Sequence, residues 1–376
     1  MLLYFKRTFI ILSFLISITL WIPLRILNFA LYPSKKIKNP PKRILVQDGY
    51  LLGDTLQYSR TLATLRSAFA ESEVHLITHA SACEFLRNSG WVHGFIPFSP
   101  PWQFRQPFFP SLKAVWACLR QVRSLHFDMA IDLSGDIRGL AFLLACNIPE
   151  RISFSDFGGR PWCTRAYVTP ANARHLMARW SYLVCRITGR DAEPCARPLW
   201  PLLTREIHPG PGQAGARRLV LVHPGTFNPE KQWSADRFAQ VIERLMAQET
   251  FETCIIAGKA DAPVANAIIS RLKAPCRVLF PTFYELEMLL KQARALLCLD
   301  SFAQHAAAAL GTPAVVLYGP SRPQYFAPCA ANVAVVWNDC IIKPPYQECT
   351  GARPVTANTS DTVFKTVVGM AQQYKE

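Results

Sequence analysis

Acidic residues are scarce in this chain of 376 residues, which holds 26 Asp and Glu against 41 Lys and Arg and has a formal net charge of +15. Residues 1–43 contain eight bases and no acid. Residues 44–205 contain 17 bases against 12 acids, and residues 206–376 contain 16 against 14. The excess positive charge therefore lies in the N-terminal half, which is typical of proteins that bind a nucleic acid or an anionic membrane.

Several common signature motifs are missing. No G-x-G-x-x-G follows a predicted strand, which excludes the nicotinamide fingerprint, and the lack of G-x-x-x-x-G-K-[ST] excludes the usual P-loop kinases. Neither H-E-x-x-H nor G-x-S-x-G occurs. The 12 cysteines form no C-x-x-C pair, so we expect no zinc site and interpret the scattered cysteines as small buried residues.

Long apolar runs are also rare. The exception, Thr8–Leu24, has 17 residues and no charge, close to the shortest length that spans a bilayer. A cleaved signal peptide and a helix lying in the membrane plane are alternatives, although Trp21–Arg25 is a poor cleavage site. Six bases follow the run and two precede it. We therefore predict an uncleaved membrane anchor in residues 1–33 and a basic linker in 34–42. The positive-inside rule places the rest of the chain in the cytoplasm.

Apolar strand-like runs alternate with helical patterns from residue 43 onward. This alternation predicts an α/β fold with parallel sheets and crossover helices. Leu202–Arg218 is rich in glycine and proline and interrupts the alternation, which indicates an interdomain connection. We therefore predict an N-terminal domain at 43–203, a linker at 204–217, a second domain at 218–358 and a C-terminal helix at 359–376, with a ligand cleft at the carboxyl ends of the strands.

The stretch from Cys298 to Pro320 places polar residues directly after a buried strand. Asp300 and Ser301 stand at a predicted helix start, where unpaired N–H groups and the helix dipole favour an anion such as a diphosphate. His305 follows on roughly the same helix face. The alternative is ordinary: Asp300 or Ser301 caps the helix, and His305 is a core residue.

Two other loops carry candidate chemistry. Lys231 follows the strand Leu219–His223 and suits a phosphate leaving group, although a surface lysine would look the same. Asp54 closes the loop Gly49–Asp54, before a helix predicted from Thr55. It is either the N-cap of that helix or a general base that accepts a proton from a hydroxyl group.

Together these stretches resemble glycosyltransferase family 9, the lipopolysaccharide heptosyltransferases, over about residues 43–372. The order and spacing of four motifs favour the functional interpretations above. The motifs are Ile44-Leu-Val with Leu52-Gly-Asp54; Asp132-Leu-Ser-Gly135; His223-Pro-Gly225 with Lys231-Gln-Trp233; and Asp300-Ser301 with His305, Ala308–Pro313 and Tyr318–Pro320.

The resemblance implies a GT-B fold, in which two Rossmann-like domains face a cleft. It implies an inverting enzyme that uses no metal or other cofactor. The substrates would be a nucleotide-sugar donor such as ADP-heptose and an anionic lipopolysaccharide-core or similar glycolipid acceptor. The predicted anchor and the positive-inside rule then place the enzyme at the inner membrane, with its catalytic domains on the cytoplasmic side.

The site residues also follow from the resemblance. Asp54 would be the catalytic base, Lys231 would hold the donor phosphate, and Asp300, Ser301 and His305 would lie at the donor. Thr226, Gly258 and Asp261 would complete the donor site. Gly53, Asp132 and Gly135 would belong to the acceptor loop.

Phe302 departs from the family pattern, because the family usually has glycine directly after Asp-Ser. A catalytically silent binding or scaffold protein with the same fold is therefore an alternative. A nucleic-acid-binding protein is disfavoured because no motif interleaves aromatic and basic residues. Residues 151–205 hold nine arginines and no lysine, which either grip acceptor phosphates or form ordinary surface.

Overall fold

The computed structural model describes residues 40–47, 51–101, 108–156, 158–191, 193, 197–201, 217–344, 346 and 354–373. The chain divides into two compact units, Met1–Pro194 and Cys195–Glu376. The division comes earlier than the boundary expected from the sequence at residue 203. The predicted anchor and the linker residues 204–216 lie outside the described residues.

The N-terminal unit contains one six-stranded parallel sheet with the order β3-β2-β1-β4-β5-β6. Its strands are β1 (Arg43–Gln47), β2 (Glu73–Thr78), β3 (Gly94–Pro97), β4 (Met129–Asp132), β5 (Glu150–Phe154) and β6 (Arg165–Tyr167). Its helices are α1 (Leu52–Gln57), α2 (Ser59–Ala68), α3 (Ala80–Leu86), α4 (Phe108–Ser124), α5 (Ile137–Ala145) and α6 (Leu176–Thr188).

The C-terminal unit contains a seven-stranded sheet with the order β13-β12-β11-β10-β7-β8-β9, parallel except for β12 and β13. The strands are β7 (Arg218–His223), β8 (Phe251–Ile256), β9 (Arg277–Leu279), β10 (Ala295–Leu299), β11 (Ala314–Tyr318), β12 (Val333–Trp337) and β13 (Cys340–Ile342). The helices are α7 (Ala235–Met246), α8 (Ala262–Ile269), α9 (Phe283–Gln292), α10 (Phe302–Leu310), α11 (Pro323–Phe326) and α12 (Ser360–Gln373).

The predicted α/β class with parallel sheets is confirmed. The central strands are buried along their whole length, as in β4 and β10, because helices cover both faces of such sheets. The strand order reverses between β1 and β4 in one unit and between β7 and β10 in the other. Ligands of doubly wound sheets bind at such switch points, beyond the carboxyl ends of the strands.

No membrane-spanning helix occurs among the residues from Pro40 onward that the structure describes, since none of their helices is both long and apolar enough. The anchor expected at Thr8–Leu24 falls outside that range. Six of the cysteines interpreted as small core residues are buried free thiols: Cys83, Cys118, Cys146, Cys163, Cys254 and Cys298.

The segment 197–201 packs on the C-terminal unit. Arg197 donates two hydrogen bonds, of 3.0 and 2.7 Å, to the carbonyl of Ala309 at the end of α10. Gly311 follows in a left-handed conformation (φ 80°), and a Cβ there would come within 2.9 Å of the Arg197 guanidinium. Trp200 Nε1 donates to Glu287 Oε2 on α9 at 2.9 Å. The segment therefore covers both helices.

Candidate functional site

The candidate donor site lies at the carboxyl edge of the second sheet, where the loops after β7, β8, β10 and β11 come together. Its central group is the buried carboxylate of Asp300, directly after β10. Asp300 Oδ2 accepts hydrogen bonds from Lys231 Nζ at 2.6 Å and from Ser321 Oγ at 2.5 Å. Asp300 Oδ1 accepts one from Gln304 Nε2 at 2.7 Å. Residues from the β7, β10 and β11 loops are thus joined through one carboxylate.

The charge state of this carboxylate follows from its surroundings. Burial by itself would raise the pKa of Asp300, but the Lys231 ammonium and the hydrogen bonds from Lys231 and Ser321 outweigh it, so the pKa lies below its ordinary value. Asp300 is therefore ionised at neutral pH, and it holds the Lys231 side chain, which is 26% exposed, at the edge of the sheet.

Ser301 is the N-cap residue of α10, but its side chain does not cap the helix. Among the described residues, Ser301 Oγ makes no capping hydrogen bond and lies 3.4 Å from His223 Nδ1 at the end of β7. The Asp300 carboxylate also bonds side chains rather than backbone N–H groups of the helix. The alternative that these two residues merely cap α10 is therefore wrong. His305 is nearly buried, as a core residue would be, and lies 3.3 Å from Gln304.

The loop after β8 reaches the same place. Asp261 Oδ2 accepts a hydrogen bond from the Gly258 N–H at 3.2 Å and lies 3.9 Å from His223 Nε2. A Cβ at Gly225 would come within 2.2 Å of the Asp261 carboxylate, so a larger residue there would displace that carboxylate. Burial lowers the pKa of His223, although Asp261 partly opposes this, so the imidazole is neutral. Thr226, the next residue after Gly225, is partly exposed.

Four residues of this site were absent from the predicted set: His223, Gln304, Tyr318 and Ser321. Tyr318 is fully buried, and its hydroxyl donates to Gln304 Oε1 at 3.0 Å. Gln304 therefore links the ends of β10 and β11. Three features of the sequence could have indicated three of these residues. The His-Pro-Gly motif contains His223, the spacing of four places Gln304 about one helical turn after Asp300, and Ser321 lies in the turn that follows Gly319-Pro320.

Phe302 takes part in an aromatic cluster at the start of α10. Its ring centroid lies 6.4 Å from that of Trp200 and 5.9 Å from that of Phe283 on α9. The bulky residue that replaces the family's usual glycine thus packs against the segment 197–201 and α9.

Asp54 lies inside a helix rather than in the predicted loop. Helix α1 begins at Leu52 with Leu51 as its N-cap residue, so both Gly53 and Asp54 belong to its first turn. Asp54 Oδ2 accepts a hydrogen bond from the Leu51 N–H at 3.2 Å. The N-cap interpretation of Asp54 and the helix start at Thr55 are both wrong. Asp54 is partly exposed; Asp48–Tyr50 lie outside the described residues.

Asp132 and Gly135 lie at the switch point of the first sheet. Asp132 is fully buried. Its carboxylate accepts hydrogen bonds from Gln47 Nε2 (3.2 Å), Ser134 Oγ (3.0 Å), Gly135 N (2.6 Å) and Ser153 Oγ (2.7 Å). Gly135 has a φ of 76°, a conformation that favours glycine. Asp132 therefore ties β1, β4, β5 and the following loop together.

Burial raises the pKa of Asp132 to about 6, although its four hydrogen bonds oppose the rise. The folded state therefore binds this proton more tightly than the unfolded chain does. As pH rises from about 4 to about 6, the contribution of Asp132 to the free energy of unfolding therefore falls by about 3 kcal/mol in total. Relative to Asp132→Asn, the wild-type free energy of unfolding should fall over this window and stay level above it, in urea titrations at several pH values.

Asp136→Asn is the control for this measurement. Asp136 is buried enough to raise its pKa, but the neighbouring Arg138 outweighs burial and the pKa is lowered. The wild-type free energy of unfolding should therefore rise with pH relative to Asp136→Asn. Parallel curves for wild type and Asp132→Asn would contradict the prediction.

Most arginines between 151 and 205 bind other residues of the protein. The sequence had suggested either that they grip acceptor phosphates or that they form ordinary surface, and neither interpretation predicted these contacts. Arg151 is fully buried and donates to the carbonyls of Trp162 and Ile148. Arg165 pairs with Glu150, and Arg179 lies 3.5 Å from Asp156. Arg186 stacks on Tyr167, Arg190 donates to Ser67, and Arg197 donates to Ala309. Arg205 lies outside the described residues.

Metal ligands do not cluster in the described part of the chain: no group of three His, Cys, Asp or Glu side chains there could hold an ion.

Comparison with known proteins gives a consistent result. The family profile of glycosyltransferase family 9 (heptosyltransferase) matches residues 115–350. Lipopolysaccharide heptosyltransferase 3 of Escherichia coli K12 is 22% identical over 307 residues, which cover 76% of this chain and 85% of that protein.

Two solved structures have a similar fold. A family 9 glycosyltransferase from Veillonella parvula aligns with a TM-score of 0.70 and 19% identity, over 90% of this chain and 99% of that one. The E. coli ADP-heptose lipopolysaccharide heptosyltransferase II aligns with a TM-score of 0.67 and 20% identity, over 88% and 99%. Since the family profile covers more than half of its length, the chain belongs to glycosyltransferase family 9, the heptosyltransferases.

Proposed function

We propose that this glycosyltransferase transfers heptose or a related sugar from a nucleotide-sugar donor to a lipopolysaccharide core or similar glycolipid, with inversion at the anomeric carbon and without a metal. Family membership supports the reaction class, and the relatives' names support the sugar and the acceptor. The observation that carries the proposal is the Lys231–Asp300 pair at the switch point of the second sheet, beside the start of α10.

The donor side of the reaction needs positive charge and N–H or O–H donors, because the leaving diphosphate gains negative charge as the glycosidic bond breaks. Lys231 supplies the charge, and Asp300 fixes its position. The Ser301 hydroxyl and the first N–H groups of α10 supply hydrogen bonds. Thr226, Gly258, Asp261 and His305 complete the donor site in this proposal.

The acceptor side needs a base. In a single displacement, an acceptor hydroxyl oxygen bonds to the anomeric carbon while the bond from that carbon to the phosphate oxygen breaks, and the configuration inverts. The hydroxyl proton passes to the carboxylate of Asp54, a partly exposed residue. In this proposal Gly53, Gly135 and the buried Asp132 shape the acceptor loop, with Asp132 acting through the loop rather than on the substrate.

The basic N-terminal residues extend the proposal to the membrane. Residues 1–43 carry eight bases and no acid, and Thr8–Leu24 is free of charge. We propose that this segment anchors the enzyme on the inner membrane, with the catalytic units on the cytoplasmic side, where a lipid-linked acceptor is accessible.

Mass spectrometry of cell-envelope glycolipids, with and without this protein, tests the proposed function. Loss of a heptose or related sugar from the core is the expected result. Calorimetry adds a direct readout, because the purified chain should bind ADP-heptose and the Lys231→Ala variant should bind it more weakly. An unchanged glycolipid profile together with no binding of any nucleotide sugar would instead support the silent binding protein.

A further inference from the structure

Helix α4 has two sharply different sides. Three residues of one side, Cys118, Leu119 and Val122, are buried in a core cluster with α5 and the sheet. The other side is exposed, with Trp116 at 59% and Leu112 at 42%. Together with Lys113, Arg120 and Arg123, which are also exposed, these two residues form what we call the α4 outer face. At 100° per residue its five members span an arc of about 100°.

The α4 outer face carries charge of one sign. The helix from Phe108 to Ser124 contains no acidic residue. Among the described residues, no acidic side chain forms a salt bridge with Lys113, Arg120 or Arg123; Arg123 instead donates to the carbonyl of Ala145 at 2.8 and 2.6 Å. A large exposed indole between long basic side chains is typical of helices that lie on anionic membranes, where the indole enters the headgroup region.

A cavity continues this surface beyond the end of the helix. It has a volume of about 410 Å³ and is lined by Arg123, His126, Phe127, Cys146 and Asn147. Phe127 and Cys146 are buried, whereas the other three are exposed. A lining that is mostly polar, with the basic Arg123 at its rim, suits a lipid headgroup.

The chain itself indicates which partner this surface meets. The basic N-terminal residues enter the described structure beside the end of α4, because Arg43 Nη1 donates to the Leu125 carbonyl at 3.0 Å. The N–H groups of Lys42 and Arg43 also donate to Asp128 Oδ2, at 2.8 and 2.9 Å. The acid-free segment 1–43 thus ends beside the C-terminal end of α4, where Asp128 accepts hydrogen bonds from its last two backbone N–H groups.

We propose that the α4 outer face and its cavity form a second membrane contact, which seats the N-terminal unit on an anionic phospholipid bilayer. The proposal builds on the proposed function, since it defines how a membrane-bound acceptor would be approached. Charge complementarity and the adjacent N-terminal segment favour a bilayer over a protein partner. The contact is separate from the proposed anchor in residues 1–33.

Photocrosslinking in vesicles tests this contact. The full chain, with p-benzoylphenylalanine in place of Trp116, is reconstituted with phosphatidylethanolamine and phosphatidylglycerol, irradiated and analysed by mass spectrometry. The control carries the same probe in place of Tyr284, an aromatic residue of the other unit that is 41% exposed. We expect lipid adducts at position 116 and few at position 284. Equal yields at both positions, or crosslinks only to a second copy of the chain, would overturn the proposal.

Charge removal gives an independent arm. Lys113→Gln with Arg120→Gln should weaken the contact of the α4 outer face with the bilayer by roughly 20- to 30-fold, as expected for two basic residues at an anionic surface. The adduct yield at position 116 should fall accordingly. Without these substitutions, the yield should also fall when the vesicles contain phosphatidylcholine alone. Arg87→Gln with Lys273→Gln removes two exposed bases elsewhere and should leave the yield unchanged. An unchanged yield after the α4 substitutions would reject the surface.

The readouts separate this proposal from the proposed function, because crosslinking needs no sugar transfer. Normal transfer to a detergent-dispersed acceptor without lipid adducts at position 116 would reject the surface and keep the function. Lipid adducts without transfer would keep the surface and reject the function.

Discussion

Asp54→Asn should lower the rate of sugar transfer by about 10²–10⁴-fold, the usual contribution of a general base. Asparagine keeps an oxygen that can accept the hydrogen bond from the Leu51 N–H, so the first turn of α1 should persist. The free energy of unfolding should change by less than about 1 kcal/mol, the usual size of a charge–dipole effect at a helix start. Transfer rates at saturating donor and urea titrations of the purified variant measure the two effects separately.

The matched control is Asp136→Asn, which makes the same change at the start of α5. Asp136 accepts a hydrogen bond from the Arg138 N–H at 2.8 Å, as a helix N-cap does, and has no role in the proposed chemistry. Its variant should keep nearly full activity. Wild-type turnover by Asp54→Asn would remove Asp54 from the role of base, whatever the control does.

Lys231→Ala should lower the transfer rate by about 10²–10³-fold, as removal of one transition-state charge donor does. It should also weaken donor binding, because the ammonium group that faces the diphosphate in the proposed site is lost. The variant leaves the Asp300 carboxylate buried, with Ser321 and Gln304 as its remaining donors. A moderate loss of stability, about 1–3 kcal/mol, is therefore expected as well.

A second ion pair between a lysine and a buried carboxylate in the same unit allows the effect of Lys231→Ala on stability to be separated from its effect on sugar transfer. Lys291 Nζ lies 2.6 Å from Glu287 Oε1, whose side chain is only 8% exposed. Lys291→Ala therefore also leaves a buried carboxylate without its lysine, and it should lose comparable stability while keeping transfer and donor affinity. Equal losses of transfer in the two variants would mean that Lys231 acts only through stability.

Buried parallel strands and their polar ends were readable from the sequence. The pattern predicted a buried strand before Asp300 and a helix that starts at Asp300-Ser301, and β10 and α10 lie there. A short apolar run, a polar pair and an alanine-rich helix each have clear local signals. It also placed Lys231 and Asp300 at the ends of two strands. Their pairing with Ser321 and Gln304 depends on which strand ends are neighbours in the sheet, and the order of the strands cannot be predicted from any local segment of the sequence.

The stretch from Ser134 to Pro201 shows where local patterns fail. The sequence pattern assigned no individual strand or helix within this stretch, yet α5, β5, β6 and α6 all occur. Strand β5 contains Arg151, whose guanidinium is buried against backbone carbonyls. An arginine inside an apolar run indicates a surface position unless its partners are known. Similarly, Gly53 and Asp54 indicated a loop, whereas the bond from the Leu51 N–H to Asp54 lets the helix begin earlier.

The segment 197–201 affects how the C-terminal unit can be isolated. Without Arg197 and Trp200, the Ala309 carbonyl and the Glu287 carboxylate each lose a hydrogen-bond donor. The aromatic cluster of Phe283 and Phe302 would also lose the indole that packs on it. A fragment cut at the glycine- and proline-rich stretch after residue 203 would therefore expose apolar surface beside the proposed donor site. Nucleotide-sugar binding by an isolated C-terminal unit is best measured on a fragment that begins at or before Cys195.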